Sequence, residues 1–148
     1  MSNYKEKKDC VCCGKSNLSV VLDLNKQPLA NAYHKEAEVL EEYPLGLNLC
    51  EDCYHLQLTY IVNPDLLFKD YLYVSGTTQT LRDNFEWFSN FVLEDAPVCK
   101  SVLDIACNDG TQLDCFKAKG VETYGIDPAE NLYELSSKNH NVKCEYFD

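Results

Sequence analysis

Two cysteine pairs of identical spacing constrain the fold of this chain more than any other feature of its sequence. Cys10 and Cys13 form the first pair, Cys50 and Cys53 form the second, and 36 residues separate the two pairs. Two residues between a pair allow both thiolates to reach one ion from a single turn, and tetrahedral zinc takes four such ligands. Gly14 supplies the backbone freedom that the first turn needs. The spacing therefore predicts a zinc site, structural because four thiolates leave no open coordination position.

The alternative is that these cysteines are reduced, buried thiols, which pack like small hydrophobic side chains. The chain has nine cysteines, and its N-terminus is polar where a secretory signal would be apolar. A disulfide framework is therefore not expected. Cys12 and His55 are spare candidate ligands, which we do not count because the four-thiolate set is complete without them.

The charge and length of the chain exclude several classes of partner. Its 148 residues carry a net charge of −11 at pH 7, which opposes association with nucleic acid or an anionic membrane. No apolar run approaches the ~20 residues that a membrane-spanning helix needs. We therefore expect a cytoplasmic protein with neither a nucleic-acid nor a membrane partner.

The sequence pattern divides the chain into three segments, at 1–62, 63–97 and 98–148. The first is rich in cysteines and turns, and alternating runs at 19–24 and 56–61 predict short strands. The second is a helical connector. It contains a predicted turn of helix at 64–68 and an amphipathic helix over 80–93, whose apolar face carries Leu81, Phe85, Phe88 and Val92.

Strands and helices alternate in the third segment. The pattern predicts strands at 101–105, 123–126 and 141–144, and helices at 110–119 and 129–137. Such alternation is typical of a parallel sheet with right-handed crossovers. We therefore expect an α/β fold in which a small β-rich domain precedes the first strands of an open sheet.

The first strand of this segment runs into a polar turn, in the sequence SVLDIACNDGTQL. A turn between a strand and the N-terminus of a helix is where open α/β sheets bind the polar part of a nucleotide-like ligand. The glycine patterns of dinucleotide-binding and phosphate-binding loops are both absent, which argues against NAD and ATP.

Two aspartates lie at the carboxyl ends of consecutive strands. Asp104 can anchor the turn or meet an ammonium group, and an acid at the position of Asp127 typically binds two ribose hydroxyls. Turn and helix-cap chemistry is the alternative for each. Their joint placement on consecutive turns favours a ligand site.

Several motifs resemble a known family. VLDIACNDGTQL followed by GVETYGIDPAENL resembles the first two motifs of class I S-adenosylmethionine (SAM)-dependent methyltransferases. Together with CVCCG, DLNKQPLANAY, YPLGLNLCEDC and LFKDYLYVSGTTQTLRDNF, in this order, they resemble nucleotide-sugar C-methyltransferases that carry an N-terminal zinc-binding domain. The resemblance implies a small zinc-binding β-rich domain followed by part of a Rossmann-like class I methyltransferase domain, with zinc and SAM as cofactors.

The resemblance also implies roles for individual residues. It assigns the four paired cysteines to zinc. It assigns the cofactor to Asp104, Ala106, Asn108, Asp109, Gly110, Asp127 and Pro128. The residues from Asp104 to Gly110 would wrap the methionine part and Asp127 would hold the ribose. Ala106 and Cys107 depart from the family pattern, where a small glycine often follows the Asp-x pair, and would crowd the cofactor slightly.

Substrate-facing positions follow from the same resemblance. Tyr71 and Tyr73, with Ser75, fall in the segment that faces the sugar, although plain packing is the alternative for these aromatic side chains. A phenol with a pKa near ~10 is a poor lone base at neutral pH. Pro28 and Asn31 fall in the family's QPLAN segment near the cleft. The three histidines, His34, His55 and His140, do not match the family's catalytic histidine.

The resemblance implies methyl transfer to a carbon next to the ketone of a keto-deoxysugar nucleotide, a small-molecule substrate. The predicted strands supply only part of a methyltransferase sheet, so we expect this portion alone to be inactive, and its exposed strand edge to make it marginally stable or prone to associate. The sequence does not predict an oligomeric state. The alternatives are a zinc-ribbon module that binds a protein partner and a non-catalytic remnant.

Overall fold

The computed structural model describes residues 3–30, 32–33 and 39–148. The chain divides into two compact units, Met1–Leu67 and Phe68–Asp148. The described residues of the first unit form strands and turns up to the short helix at its end, whereas the second unit combines strands with helices. The three-segment division stays a prediction. No helix in the described part of the chain is long and apolar enough to span a membrane.

The first unit contains two antiparallel sheets. Its strands are β1 (Tyr4–Glu6), β2 (Leu18–Pro28), β3 (Glu42–Cys50), β4 (Leu56–Leu58) and β5 (Tyr60–Val62). Strands β1 and β5 form one pair, and β2, β3 and β4 form a three-stranded sheet with β3 in the centre. The strand predicted at 19–24 lies within β2, and the one predicted at 56–61 is divided at Thr59 into β4 and β5.

The central strand β3 was not predicted, because Pro44 and Gly46 interrupt its apolar pattern. The structure explains Gly46 by close packing. A Cβ at this position would lie 2.6 Å from Thr59 Oγ1 and 2.8 Å from the carbonyl oxygen of Leu22. Thr59 also donates its backbone N–H to Gly46 over 3.0 Å, so β3 makes contacts on both sides that only glycine allows.

The second unit is built on a three-stranded parallel sheet. Its elements are α1 (Asp65–Phe68, which spans the unit boundary), a 3-10 turn (Ser75–Thr77), α2 (Gln79–Asp95), β6 (Ser101–Ile105), α3 (Thr111–Lys117), β7 (Glu122–Ile126), α4 (Tyr133–Ser136) and β8 (Asn141–Lys143). The strands lie in the order β6, β7, β8. The predicted alternation in a parallel sheet is therefore observed, although α3 and α4 are shorter than predicted.

Helix α2 packs on α3 with the face that its sequence predicts, with one correction. Phe88 contacts Phe116 edge to face, with 6.4 Å between ring centroids. The fully buried residue of α2, however, is Ser89. It was not predicted in the core because a serine is polar; its hydroxyl is satisfied by donating to the carbonyl oxygen of Glu86 over 2.9 Å.

The parallel sheet is covered unequally on its two faces. Leu113 and Phe116 of α3 are buried. On the other face, Leu103, Ile105 and Tyr124 are 55%, 51% and 39% exposed. Because parallel sheets usually have both faces covered, this face is an apolar surface without a covering layer among the described residues. The expected tendency to associate stays a prediction.

Candidate functional site

The four paired cysteines form a compact cluster. Their sulfur atoms all lie within 4.8 Å of one another, with 3.6 Å between Cys10 and Cys53 and 3.6 Å between Cys13 and Cys50. Zinc–sulfur bonds of about 2.3 Å in a tetrahedron place neighbouring sulfurs about 3.8 Å apart. The cluster therefore has the dimensions of a four-thiolate zinc site. Cys12 and His55 are not part of this cluster.

The two cysteine turns have the same backbone hydrogen bonds. In the first, Cys10 N–H donates to Lys15 over 2.8 Å and Gly14 N–H donates to Cys10 over 2.9 Å; the second turn, at Cys50, repeats both bonds over 2.9 and 2.8 Å. Each turn needs a left-handed residue four positions after its first cysteine, and these residues are Gly14 (φ 75°) and Tyr54 (φ 61°). Sequence reasoning recognised Gly14 and missed Tyr54, since a tyrosine gives no signal for this conformation.

Backbone amides inside the turns prepare one cysteine for metal binding. The N–H groups of Cys13 and Cys12 point at the Cys10 sulfur and lower the pKa of that thiol to about 6. The N–H of His55 acts in the same direction on Cys53, but desolvation and the neighbouring thiols raise the pKa of Cys53 to about 12. Four thiolates at this spacing repel one another, so full ionisation of the cluster requires a cation.

Gln57 connects the first cysteine turn to β4. Its side-chain oxygen accepts the N–H of Val11 over 2.9 Å, and its amide nitrogen donates to the carbonyl of Asp9 over 3.1 Å. Gln57 is 7% exposed, so this polar side chain is buried with both ends satisfied. Sequence reasoning missed it; the only signal is a glutamine between two leucines of a short strand.

In the second unit, the loop after β6 has an unusual backbone. Ala106, Asn108 and Gly110 alternate in the left-handed region, with φ of 64°, 51° and 84°. Glycine is favoured at all three positions, and an L-residue with a Cβ costs about 1 kcal/mol or more there. The departure noted at Ala106 is therefore a residue held in a strained conformation, which the loop maintains by donating Ala106 N–H to Ile126 over 2.8 Å.

Asp127 uses both carboxylate oxygens to shape this loop. One oxygen accepts the N–H of Asn108 and the other accepts the N–H of Ala129, each over 2.8 Å. Both bonds belong to the turn chemistry that was the alternative for this residue. A carboxylate offers about four acceptor sites, so two remain, and the ribose role of Asp127 stays a prediction. Pro128 follows it, half-buried.

Asn108 and Asp109 bond to the segment before α2. Asn108 accepts the N–H of Ser75 and donates to the carbonyl of Tyr73, both over 2.9 Å. Asp109 accepts the N–H of Gly76 over 2.8 Å and the N–H of Thr111, the first residue of α3, over 3.1 Å. The side chains of Asn108 and Asp109 therefore fix residues 73–76 beside the loop.

A cavity of about 210 Å³ lies beside the loop. The residues that line it are Ser75, Phe85, Phe88, Asp104, Ala106, Cys107, Asn108, Asp109 and Gln112. Burial, together with the charge of Asp127, raises the pKa of the Asp104 carboxyl to about 6. Asp104 has no hydrogen-bond partner among the described residues, so the cavity contains one uncommitted acid.

The other predicted site residues lie outside the lining of this cavity. These are Gly110, Asp127, Pro128, Tyr71 and Tyr73. Tyr71 packs against Phe68, with ring centroids 6.5 Å apart, and Tyr73 is 45% exposed. Pro28 ends β2. Asn31 and His34 lie outside the described residues.

Gly110 packs against a buried histidine that sequence reasoning assigned no role. His140 Nδ1 lies 2.8 Å from Thr123 Oγ1, and its Nε2 lies 3.1 Å from Asp114 Oδ1. Burial lowers the pKa of His140, which favours the neutral ring. A Cβ on Gly110 would meet the ring at 3.0 Å and the Cα of Ser136 at 3.2 Å.

We therefore expect Gly110→Ala to destabilise the second unit more than Gly120→Ala. Both glycines have positive φ, 84° and 81°, but a Cβ on Gly120 meets nothing within 4 Å. Gly120→Ala should cost about 1 kcal/mol of unfolding free energy for the backbone alone, and Gly110→Ala about 1–3 kcal/mol more for the added contacts. Urea unfolding of both variants measures the difference; equal losses would contradict the packing.

Comparison with known proteins identifies the region around the cysteine cluster. Residues 10–68 match the model of a family described as "Putative zinc binding domain". The matched segment covers both cysteine pairs, and the match and the four-cysteine cluster together support zinc as the metal.

A relative extends the similarity beyond the zinc-binding domain. The "C-methyltransferase NovU" of Streptomyces niveus is 27% identical over 129 residues, which cover 84% of this chain and 31% of the relative. The chain therefore spans about a third of that protein's length. The resemblance to the N-terminal portion of C-methyltransferases with a zinc-binding domain is confirmed.

Proposed function

We propose that this chain is the zinc-binding and cofactor-binding portion of a SAM-dependent methyltransferase that acts on a carbon of a keto-deoxysugar nucleotide. The observation that carries the proposal is Asp104. It is an uncommitted acid in a cavity at the carboxyl end of a parallel strand, beside a loop with three left-handed residues. Ligands of open α/β sheets bind at this edge. The relative's name supports methyl transfer to carbon.

Asp104 is suited to the ammonium group of the cofactor. Its raised pKa of about 6 means that the site disfavours a negative charge without a partner, so a cation that enters the cavity is favoured. When bound, SAM supplies a methyl group activated by a sulfonium. The two acceptor sites left on Asp127 suit the ribose hydroxyls, and Phe85 and Phe88 give the cavity an apolar wall.

In this proposal the zinc stabilises the fold and takes no part in the reaction. Cys10, Cys13, Cys50 and Cys53 would fill all four coordination positions, so no position remains for a substrate. This proposal assigns the removal of the proton beside the ketone to no residue of this chain. Tyr71 and Tyr73 would face the sugar and hydrogen-bond the enolate oxygen.

Calorimetric titration with SAM and with its demethylated product tests the cofactor assignment. We expect weak but measurable binding, which Asp127→Ala lowers by about tenfold or more because the charge-assisted hydrogen bonds to the ribose are lost together with the two backbone bonds that shape the loop. Asp95→Asn, an exposed acid at the end of α2, is the control and should leave the affinity unchanged. Absence of binding would contradict the proposal, and tight binding that survives Asp127→Ala would contradict the ribose assignment.

Methyl transfer itself is a separate measurement. Incubation of the 148-residue chain with labelled SAM and dTDP-linked 4-keto-6-deoxysugars should give no transfer above background, because proton abstraction needs a positioned base within hydrogen-bond reach. Transfer to carbon well above background would contradict this expectation and make Tyr71 or Tyr73 the first residue to substitute.

A further inference from the structure

The segment 69–76, here called the tyrosine segment, is held by side chains that extend from the two loops at the carboxyl edge of the parallel sheet. We infer that Asn131 is a positioning residue for Tyr71. This inference rests on the proposed function, because Tyr71 is taken there as a residue that faces the sugar. It assigns to Asn131 a role that the sequence did not indicate.

Asn131 contacts Tyr71 through both ends of its amide. The N–H of Tyr71 donates to Asn131 Oδ1 over 2.9 Å, and Asn131 Nδ2 donates to the carbonyl of Tyr71 over 3.0 Å. The two residues are 60 positions apart in the sequence. One side chain thus satisfies both backbone groups of one residue, as a neighbouring strand would.

The two hydrogen bonds between Asn131 and the backbone of Tyr71 are here called the clamp. Residues next to the clamp connect the tyrosine segment to the same two loops. Beside Asn131, Glu130 N–H donates to the carbonyl of Lys69 over 2.9 Å, and their side chains form an ion pair at 3.3 Å. Beside the cavity, Asn108 contacts the backbone of Tyr73 and Ser75. The tyrosine segment is therefore fixed at both ends to loops that follow β6 and β7.

The tyrosine segment has few other means of holding its position. Residues 69–74 lie outside helices and strands, so their backbone groups lack the regular hydrogen bonds of those elements and depend on individual contacts such as these. Neither phenol oxygen, of Tyr71 or of Tyr73, has a hydrogen-bond partner among the described residues. Tyr71 is thus placed through its backbone while its hydroxyl is left available, which is the arrangement that a substrate-facing residue needs.

Hydrogen exchange and fluorine NMR on the full 148-residue chain test the role of Asn131. Asn131→Ala should speed exchange of the Tyr71 amide by about tenfold or more, because its acceptor is gone. Asn131→Asp keeps an acceptor for that amide and loses only the donor, so most of the protection should return. Asn139→Ala is the matched control, because Asn139 is an exposed asparagine two residues before β8. It should change neither the exchange of the Tyr71 amide nor the response of the Tyr71 fluorine signal.

Fluorine NMR supplies the functional measurement. In a chain labelled with 3-fluorotyrosine, the Tyr71 signal is assigned by its loss in Tyr71→Phe, and dTDP-linked 4-keto-6-deoxysugar is then titrated. We expect the sugar nucleotide to shift this signal in the wild type, with about fivefold or greater loss of affinity in Asn131→Ala, while SAM affinity changes by less than about twofold.

The outcomes separate this inference from the proposed function. Unchanged Tyr71 exchange in Asn131→Ala, or full loss of protection in Asn131→Asp, would overturn the clamp. Equal losses of SAM and sugar affinity in Asn131→Ala would show a general structural role and would overturn the positioning role. If the sugar nucleotide does not shift the Tyr71 fluorine signal of the wild type, both the substrate class in the proposed function and the assignment of Tyr71 as a sugar-facing residue would be overturned.

Discussion

A Cys50→Ser variant should lose its zinc and, with it, the folded state of the first unit. Cys50 is fully buried and ends the central strand β3, opposite Leu18 of β2. Four-thiolate zinc contributes about 10–16 kcal/mol to the folding of small zinc domains. That contribution equals or exceeds the entire stability of a typical domain, about 5–15 kcal/mol. Three thiolates cannot retain it.

Metal analysis of natively purified protein and amide NMR measure the two losses. The wild type should contain one zinc per chain, and Cys50→Ser should give collapsed chemical-shift dispersion for the first unit. Cys12→Ser is the matched control, because Cys12 is exposed and lies outside the cluster; it should keep its zinc. A wild type without zinc, or a Cys50→Ser and Cys53→Ser double variant that retains it, would contradict the assignment.

The sequence predicted those parts of the molecule that local chemistry determines. The cysteine pairs depend on spacing within a turn, and the strand 101–105 with the polar turn after it depends on neighbouring residues, so both were predicted correctly. The strand β3 was missed because Pro44 and Gly46 mask it. Glycine is required at position 46 by contacts with Leu22 and Thr59. These two residues are distant in sequence from Gly46 and leave no local pattern.

The contacts that organise the candidate cofactor site are also distant in sequence. Asn131 is 60 residues from Tyr71, and Asn108 is 33 residues from Ser75. An asparagine in a polar turn has many ordinary roles, so its type alone does not indicate a partner. Tyr54 illustrates the same limit, because its left-handed conformation is imposed by the turn that it closes and contradicts its own preference.

The acids at the carboxyl edge of the parallel sheet have separate tasks. Asp109 and Asp127 accept backbone N–H groups and give the loop its shape. Asp104 accepts none among the described residues and faces the cavity. The sequence placed all three acids at one edge, but only the structure distinguishes the two that shape the loop from Asp104, which has no hydrogen-bond partner among the described residues. A substitution of Asp104 should therefore affect binding and stability in opposite directions.

We expect Asp104→Asn to abolish measurable SAM binding while it stabilises the second unit. The variant removes the partner of the cofactor's ammonium, and charge-assisted hydrogen bonds of this kind contribute about 1.5–3 kcal/mol. It also removes a carboxylate whose pKa is raised from 3.8 to about 6 in the folded chain. The unfolding free energy at pH 7 should rise by about 1–2 kcal/mol, less than the full pKa shift implies because solvent screens this partly exposed group.

The pH dependence gives the sharper test. Because the pKa of Asp104 is higher in the folded than in the unfolded chain, its contribution to stability is full below pH 3.8 and is lost as the pH rises to about 6. The stability advantage of Asp104→Asn should therefore grow over that interval and level off above it. Wild-type SAM affinity should rise over the upper part of the same interval, as Asp104 ionises, and the variant should lack this rise. Urea unfolding and calorimetry from pH 5 to 7 measure the stability and the SAM affinity, with Asp95→Asn as the control. An Asp104→Asn variant that is less stable at pH 7, or that still binds SAM more tightly as the pH rises, would contradict this prediction. Either result would show that Asp104 supports the fold and does not receive the ligand.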